Sequence, residues 1–139
     1  MRLWHYKLLK YLPDSQLKAQ WRELNVIFKV GNEKINHILI NYIKDYSKDD
    51  MYAYACLVLD EMRRRGFYVK FDNWNEYFQN QTATPAAELW KAEPFKHHHT
   101  ARYLLQCFYN LQEKHDRGQK DFSDAQYEEM EDFILNEIH

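Results

Sequence analysis

Glycine and proline are scarce, at three each in 139 residues, and that scarcity argues against a fold of many short strands joined by tight turns. The two cysteines, Cys56 and Cys107, both lie in apolar helical stretches. They give neither a disulfide framework nor a zinc-ligand spacing. No apolar run approaches the roughly 20 residues of a membrane span, and the opening MRLWHYKLLKYLPDSQ has no long apolar segment ending in a small-residue cleavage site. A cytoplasmic protein is expected. Also missing are a phosphate-binding glycine loop, a dinucleotide-binding glycine pattern, HExxH and GxSxG. Nucleotide hydrolysis, zinc proteolysis and serine hydrolysis therefore have no support.

What is present is an apolar share of 45% with eleven Tyr, eight Phe and four Trp, enough to bury one core. We expect residues 1–139 to form one all-α domain, a compact bundle of about five main helices. Asp14 after Pro13 reads as the N-cap of a helix to about Phe28, in which Leu17, Trp21, Leu24 and Phe28 recur as one stripe. At 100° per residue, Gln16, Gln20, Glu23 and Ile27 fall on one flank of that stripe, and Lys18 and Arg22 toward the other. Ile35, Ile38, Leu39, Tyr42, Ile43 and Tyr46 have helical spacing and predict a second helix. Ser47 with Asp50 predicts a capping box for a third, which ends at Gly66. Residues 71–96 are the least regular stretch, with short helices expected from Asn73 and from Thr84-Pro85. Periodicity resumes from His97 to Gly118, and Ser123 with Gln126 opens a last helix.

Net charge is -2, but the halves differ. Residues 1–70 carry 13 Lys+Arg against 8 Asp+Glu, net +5, and residues 71–139 carry 6 against 13, net -7. A polyanion would meet the first half, because local charge sets an encounter. The bland alternative is ordinary solvation of mixed helix faces. Arg63, Arg64 and Arg65 fit the negative end of a helix dipole as well as they fit phosphate.

His97, His98 and His99 invite a metal, yet adjacent helical residues point 100° apart and cannot all face one ion. A polar helix start is expected, with no metal and no cofactor. His5 and His37 are lone histidines in apolar surroundings, expected as hydrogen-bonded structural groups with an accessory role as the alternative. That leaves Glu23 as the acid–base candidate. Taken alone, an adjacent Arg22 and Glu23 are a surface pair of little energetic weight.

A resemblance sharpens this. MRLWH at the start, LP at 12–13, QLKAQWREL at 16–24, NHI at 36–38 and EMRRRGF at 61–67 resemble bacterial members, beginning MRLWH, of the pyrimidine dimer DNA glycosylase family. That family is in turn similar to the phage endonuclease V. The phage-type run is met by Leu17, Ala19, Trp21, Arg22, Glu23 and Leu24. The resemblance implies an endonuclease V-like all-α enzyme that needs no cofactor and works as a monomer on double-stranded DNA carrying a damaged or abasic site. It implies the N-terminal amine as nucleophile and a helix glutamate as its acid–base partner. Because a bulky Arg2 should leave the initiator methionine in place, these roles fall on Met1 and Glu23. An α-amine titrates at about 7.7 to 8.0, so a useful fraction is neutral at neutral pH. Arg2, Arg22, Lys18, Arg64 and Arg65 would hold DNA, with His5 and His37 accessory. The sequence departs from the phage pattern at Gln16 and Val26, which replace a histidine and an arginine, and in an acidic C-terminal stretch without Lys or Arg. A non-catalytic nucleic-acid-binding or protein-interaction module is the alternative, followed by an unrelated small-molecule enzyme that reuses the amine and the glutamate.

Overall fold

A computed structural model describes residues 1–89 and 91–138. The described chain is all-α, with no strand among the described residues. Four helices are long: α1 (Asp14–Val30), α2 (Lys48–Arg64), α5 (Ala101–Asp116) and α6 (Asp124–Glu137). Two are short: α3 (Asp72–Tyr77) and α4 (Ala86–Leu89). Helical turns of the tighter 3-10 type cover Tyr6–Tyr11, Asn32–Lys34 and Asn41–Asp45. Among the described residues no helix is long and apolar enough to cross a membrane.

The stripe on α1 is buried as its spacing requires: Leu17, Trp21, Leu24 and Phe28 all lie in the core. α1 packs on α2 and α3, α5 packs on α6, and the first 3-10 turn wedges against α2, α5 and α6. The irregular stretch contributes to this core. Trp74 on α3 is buried between the Trp21 ring, at 6.4 Å, and the edge-on Phe28 ring, at 6.1 Å. α2 stops at a glycine in the left-handed region, Gly66 at φ +76°. The Phe67 N–H then reaches Met62 O and the Gly66 N–H reaches Arg63 O, closing the orphan carbonyls. Ser123 and Gln126 form the reciprocal capping box at the start of α6.

Local pattern misleads in several places. The helix expected over residues 33–46 is absent: two 3-10 turns flank a bend, and no α-helix forms there. The Asn41 side chain accepts the His37 N–H at 3.0 Å, so a short polar side chain competes with the ladder that a helix would need. Ile35, Ile40 and Ile43 are buried while Ile38 and Leu39 face outward. Among the described residues four long and two short α-helices form the bundle, and the segment 33–46 enters it as 3-10 turns. Helix α1 begins at Asp14 without a side-chain cap from it. Asp14 is paired with Arg65, and the Ser15 N–H is taken by Asp121, at 2.8 Å. Ser47 caps α2, but Asp50 accepts the Phe95 N–H in place of completing a box. Thr100, not the histidine run, caps α5.

Candidate active site

The first five residues take no helical or strand form, yet Leu3, Trp4 and His5 are buried. Buried main-chain groups need partners, and three helices supply them. From α1, Gln20 donates to Arg2 O at 3.0 Å and accepts the Trp4 N–H at 2.8 Å. From α2, Tyr54 donates its hydroxyl to Trp4 O at 2.6 Å. From α5, Tyr103 does the same to Leu3 O, also at 2.6 Å. Gln20 is 0% exposed, so both ends of its amide are matched inside the core. His5 closes the segment: its Nδ1 accepts the Lys7 N–H at 3.2 Å, which leaves Nε2–H to donate to His99 O at 3.0 Å. Burial lowers the His5 pKa to about 4, in keeping with this neutral form.

This clamp delivers the terminal amine to a fixed place. Met1, Arg2, Gln16, Glu23, Leu39 and Lys114 line one open cavity of about 320 Å³. Glu23 is half-buried and accepts a hydrogen bond from Gln20 Nε2 at 3.2 Å. Burial raises its pKa above the usual carboxylate range. The Met1 amine, the Arg2 main-chain N–H, the Arg22 guanidinium and His37 oppose that rise without cancelling it. The Met1 nitrogen lies 3.3 Å from His37 Nε2. The Leu39 N–H donates to His37 Nδ1 at 3.3 Å, so the neutral ring carries its proton on Nε2. An amine and a carboxylate with a raised pKa that line one cavity have the chemistry to serve as a nucleophile and an acid–base group.

The sequence-based candidates separate in space. Met1, Arg2 and Glu23 share the cavity, His37 touches the amine, and Arg22 stands near enough to act on the Glu23 charge. Gln16 lines the same cavity, whereas Val26 is exposed. Lys18 is exposed with its ammonium 4.3 Å from the Phe67 ring. Arg64 and Arg65 lie elsewhere, in a cleft with Asp14 and Glu129. Arg65 donates to Leu12 O at 2.7 Å, Asp14 at 2.9 Å and Glu61 at 3.3 Å, and Arg64 pairs with Glu61. His5 is a structural residue of the clamp. The three consecutive histidines diverge: the His97 N–H meets the Tyr46 hydroxyl, the His98 ring stacks on Tyr42 at 4.5 Å, and His99 is buried with Nε2 2.8 Å from the Tyr42 hydroxyl. Among the described residues no group of three or more His, Cys, Asp or Glu could hold a metal.

Sequence reasoning missed Gln20, Tyr54, Tyr103 and Lys114. Gln20 had one signal, a polar residue three before Glu23 on the same flank. Lys114 had none, since it comes from the last turn of α5. Two other cavities are larger, about 570 and 650 Å³, but neither pairs a free amine with a half-buried carboxylate. In the first, Lys7 is tied to Glu137 at 2.9 Å, and burial keeps His5 and His99 neutral.

Comparison with known proteins follows the same residues. A family model described as pyrimidine dimer DNA glycosylase matches residues 1–76, a span that holds Met1, Gln20, Glu23 and His37. No curated protein and no solved structure gives a significant match. The chain belongs to the pyrimidine dimer DNA glycosylase family, and that membership implies a DNA glycosylase-type repair function.

Proposed function

Within that family, we propose that this chain is a DNA N-glycosylase with abasic-site lyase activity, in which the Met1 amine is the nucleophile and Glu23 the acid–base group. The observation that carries the reading is the shared cavity of Met1 and Glu23, with the Glu23 pKa raised by burial. In the first step the amine nitrogen bonds to the sugar C1′, the glycosidic bond breaks, the base leaves as its anion and takes a proton from water, and one amine proton passes to the Glu23 carboxylate. Protonated Glu23 then gives its proton to the ring oxygen as the ring opens, which leaves a C1′ iminium to Met1. As a carboxylate, Glu23 next removes a C2′ proton, and the electron pair expels the 3′ phosphate by β-elimination. On a site already abasic, water leaves in place of the base. Both uses of one carboxylate suit a group whose charged form burial disfavours.

Arg2, Arg22 and Lys114 would take the phosphates nearest the cavity, with Lys18 one helical turn from Arg22 on the exposed side of α1. None of α6 lines the cavity, so its acids need not repel the strand there. The reading takes residues 1–139 as one domain acting as a monomer inside the cell, in line with a core that runs from Leu3 to Ile134. Damaged or abasic duplex DNA is the substrate class, and pyrimidine dimers are the lesion that the family description suggests.

The test is borohydride trapping of untagged protein on abasic-site duplex. A covalent adduct mapped to Met1 is expected, and an N-terminal extension should abolish it. Glu23→Gln should still be trapped through the open-chain aldehyde of the abasic site, more slowly for want of the Glu23 proton, while losing strand cleavage by about 10² to 10⁴-fold. An adduct on a lysine, or none with folded untagged protein, refutes the assignment.

A further inference from the structure

Ile38 and Leu39 form an exposed apolar tip on a braced turn. The chain enters and leaves through buried residues, Ile35 and Ile40, and between them Ile38 is 88% and Leu39 43% exposed. The turn is not slack. The His37 N–H is held by Asn41 at 3.0 Å, the Ile40 N–H by His37 O at 3.0 Å and the Leu39 N–H by His37 Nδ1 at 3.3 Å. A rigid turn that keeps a β-branched side chain in water gains nothing from it within the free protein.

Its neighbours say what covers it. On one side His37 touches the Met1 nitrogen and Leu39 lines the cavity of Glu23. On the other, the two 3-10 turns that bracket the tip bring Lys34 and Lys44 together with Lys48, three cations against the one carboxylate of Glu33, around a cavity of about 650 Å³. Lys48 is held there by Tyr77 O at 3.1 Å. An apolar tip between a sugar-sized cavity and a cup of lysines matches a partner whose bases are apolar on their faces and whose rim is anionic.

We propose that Ile38 is a wedge that enters the base stack of duplex DNA beside the target nucleotide, with Lys34, Lys44 and Lys48 on phosphates of the same duplex. This rests on Met1 and Glu23 being the catalytic pair. A sugar C1′ inside a stacked duplex is out of reach of the clamped amine, so the nucleotide must leave the stack. An apolar side chain that fills the vacated step lowers the cost of that opening. Ile38 therefore acts on the duplex and not on the sugar, and its contribution vanishes where there is no stack to open.

The experiment compares full-length untagged wild type and Ile38→Ala in borohydride trapping on an abasic oligonucleotide, single-stranded and annealed. An exposed side chain leaves folding intact, which a thermal melt checks. Ile38→Ala should trap the single strand at the wild-type rate and the duplex at least about tenfold more slowly. A 2-aminopurine placed beside the abasic site should brighten with wild type and not with the variant. Equal duplex rates for the two proteins, or an equal loss on both substrates, overturn the wedge. If wild type forms no adduct even on the single strand, the catalytic reading fails separately, and the 2-aminopurine comparison alone decides for or against Ile38.

Discussion

At the amino terminus the Arg2 guanidinium rests over the Trp4 and Tyr103 rings, 5.9 Å from each centroid, and no ion pair engages it among the described residues. At the end of α2, Arg65 is 14% exposed and its donors go to Leu9 O, Lys10 O, Leu12 O, Asp14 and Glu61. Both arginines belong to the basic half, and by sequence both were candidates for phosphate. An aromatic face steadies a cation without occupying its N–H donors, whereas five internal acceptors turn a cation into a strut between helix and loop. A count of positive charge thus overstates what is free for a ligand. The quantity that matters is the number of donors left unmatched after folding.

The comparison breaks most sharply at Gln20. Replacing it by leucine keeps the volume but leaves the buried Trp4 N–H and the partly buried Arg2 O short of partners. At about 1 to 3 kcal/mol for each orphaned group, Gln20→Leu should lose about 3 kcal/mol in urea unfolding. It should also slow borohydride trapping by about 100-fold, since the amine is no longer held against the cavity. If trapping stays at the wild-type rate in the folded fraction, the clamp is not what positions Met1.

Arg65→Ala sharpens the other side. It leaves the buried Glu61 with only the exposed Arg64 and uncovers three carbonyls, so a loss of about 2 to 3 kcal/mol is expected, with the salt dependence of DNA binding unchanged. A change in that dependence would return Arg65 to the DNA interface. Arg64→Ala, with a side chain 66% exposed, should cost less than about 1 kcal/mol.

Glu23→Gln should separate stability from activity. Burial raises the Glu23 pKa in the folded state, so its contribution is favourable below the unfolded carboxylate pKa and is lost as pH rises through the folded value. At neutral pH the ionised side chain is therefore a net cost, and the variant should be slightly more stable than wild type. The gap should close as pH falls below the ordinary carboxylate range, as read from thermal melts at several pH values. A variant less stable at neutral pH would show that the hydrogen bonds to Glu23 outweigh its desolvation. The smallest effect is expected at Lys114→Ala, which should lower the slope of log binding constant against log salt by about 0.9, one phosphate contact. An unchanged slope would remove Lys114 from the DNA path.

Legibility followed range. The α1 stripe, the end of α2 at Gly66, the Ser123 capping box and the flank that carries Glu23 were readable, because each is fixed within a few residues by the helical repeat or by a cap. The segment 33–46 was misread for the same reason. Its apolar spacing is helical, but Ile38 and Leu39 are exposed while Ile35, Ile40 and Ile43 reach the core separately, and a spacing cannot report which of its members finds a partner. Glu23 was found as a candidate by its position on the helix and by resemblance, while its raised pKa needed walls that the sequence does not show.

By itself the sequence determined an all-α chain, the register of its long helices, an N-terminal half rich in positive charge, and the family. Tertiary structure decided where the amine sits and which charges are spent. Trp4 meets Gln20 16 residues away and Tyr54 50 residues away, and Leu3 meets Tyr103 100 residues away. Helical periodicity is a local property of the backbone, but a buried N–H or carbonyl is satisfied by whichever side chain the packing of distant helices brings to it, and the same packing fixes which carboxylate loses water and which arginine keeps its donors.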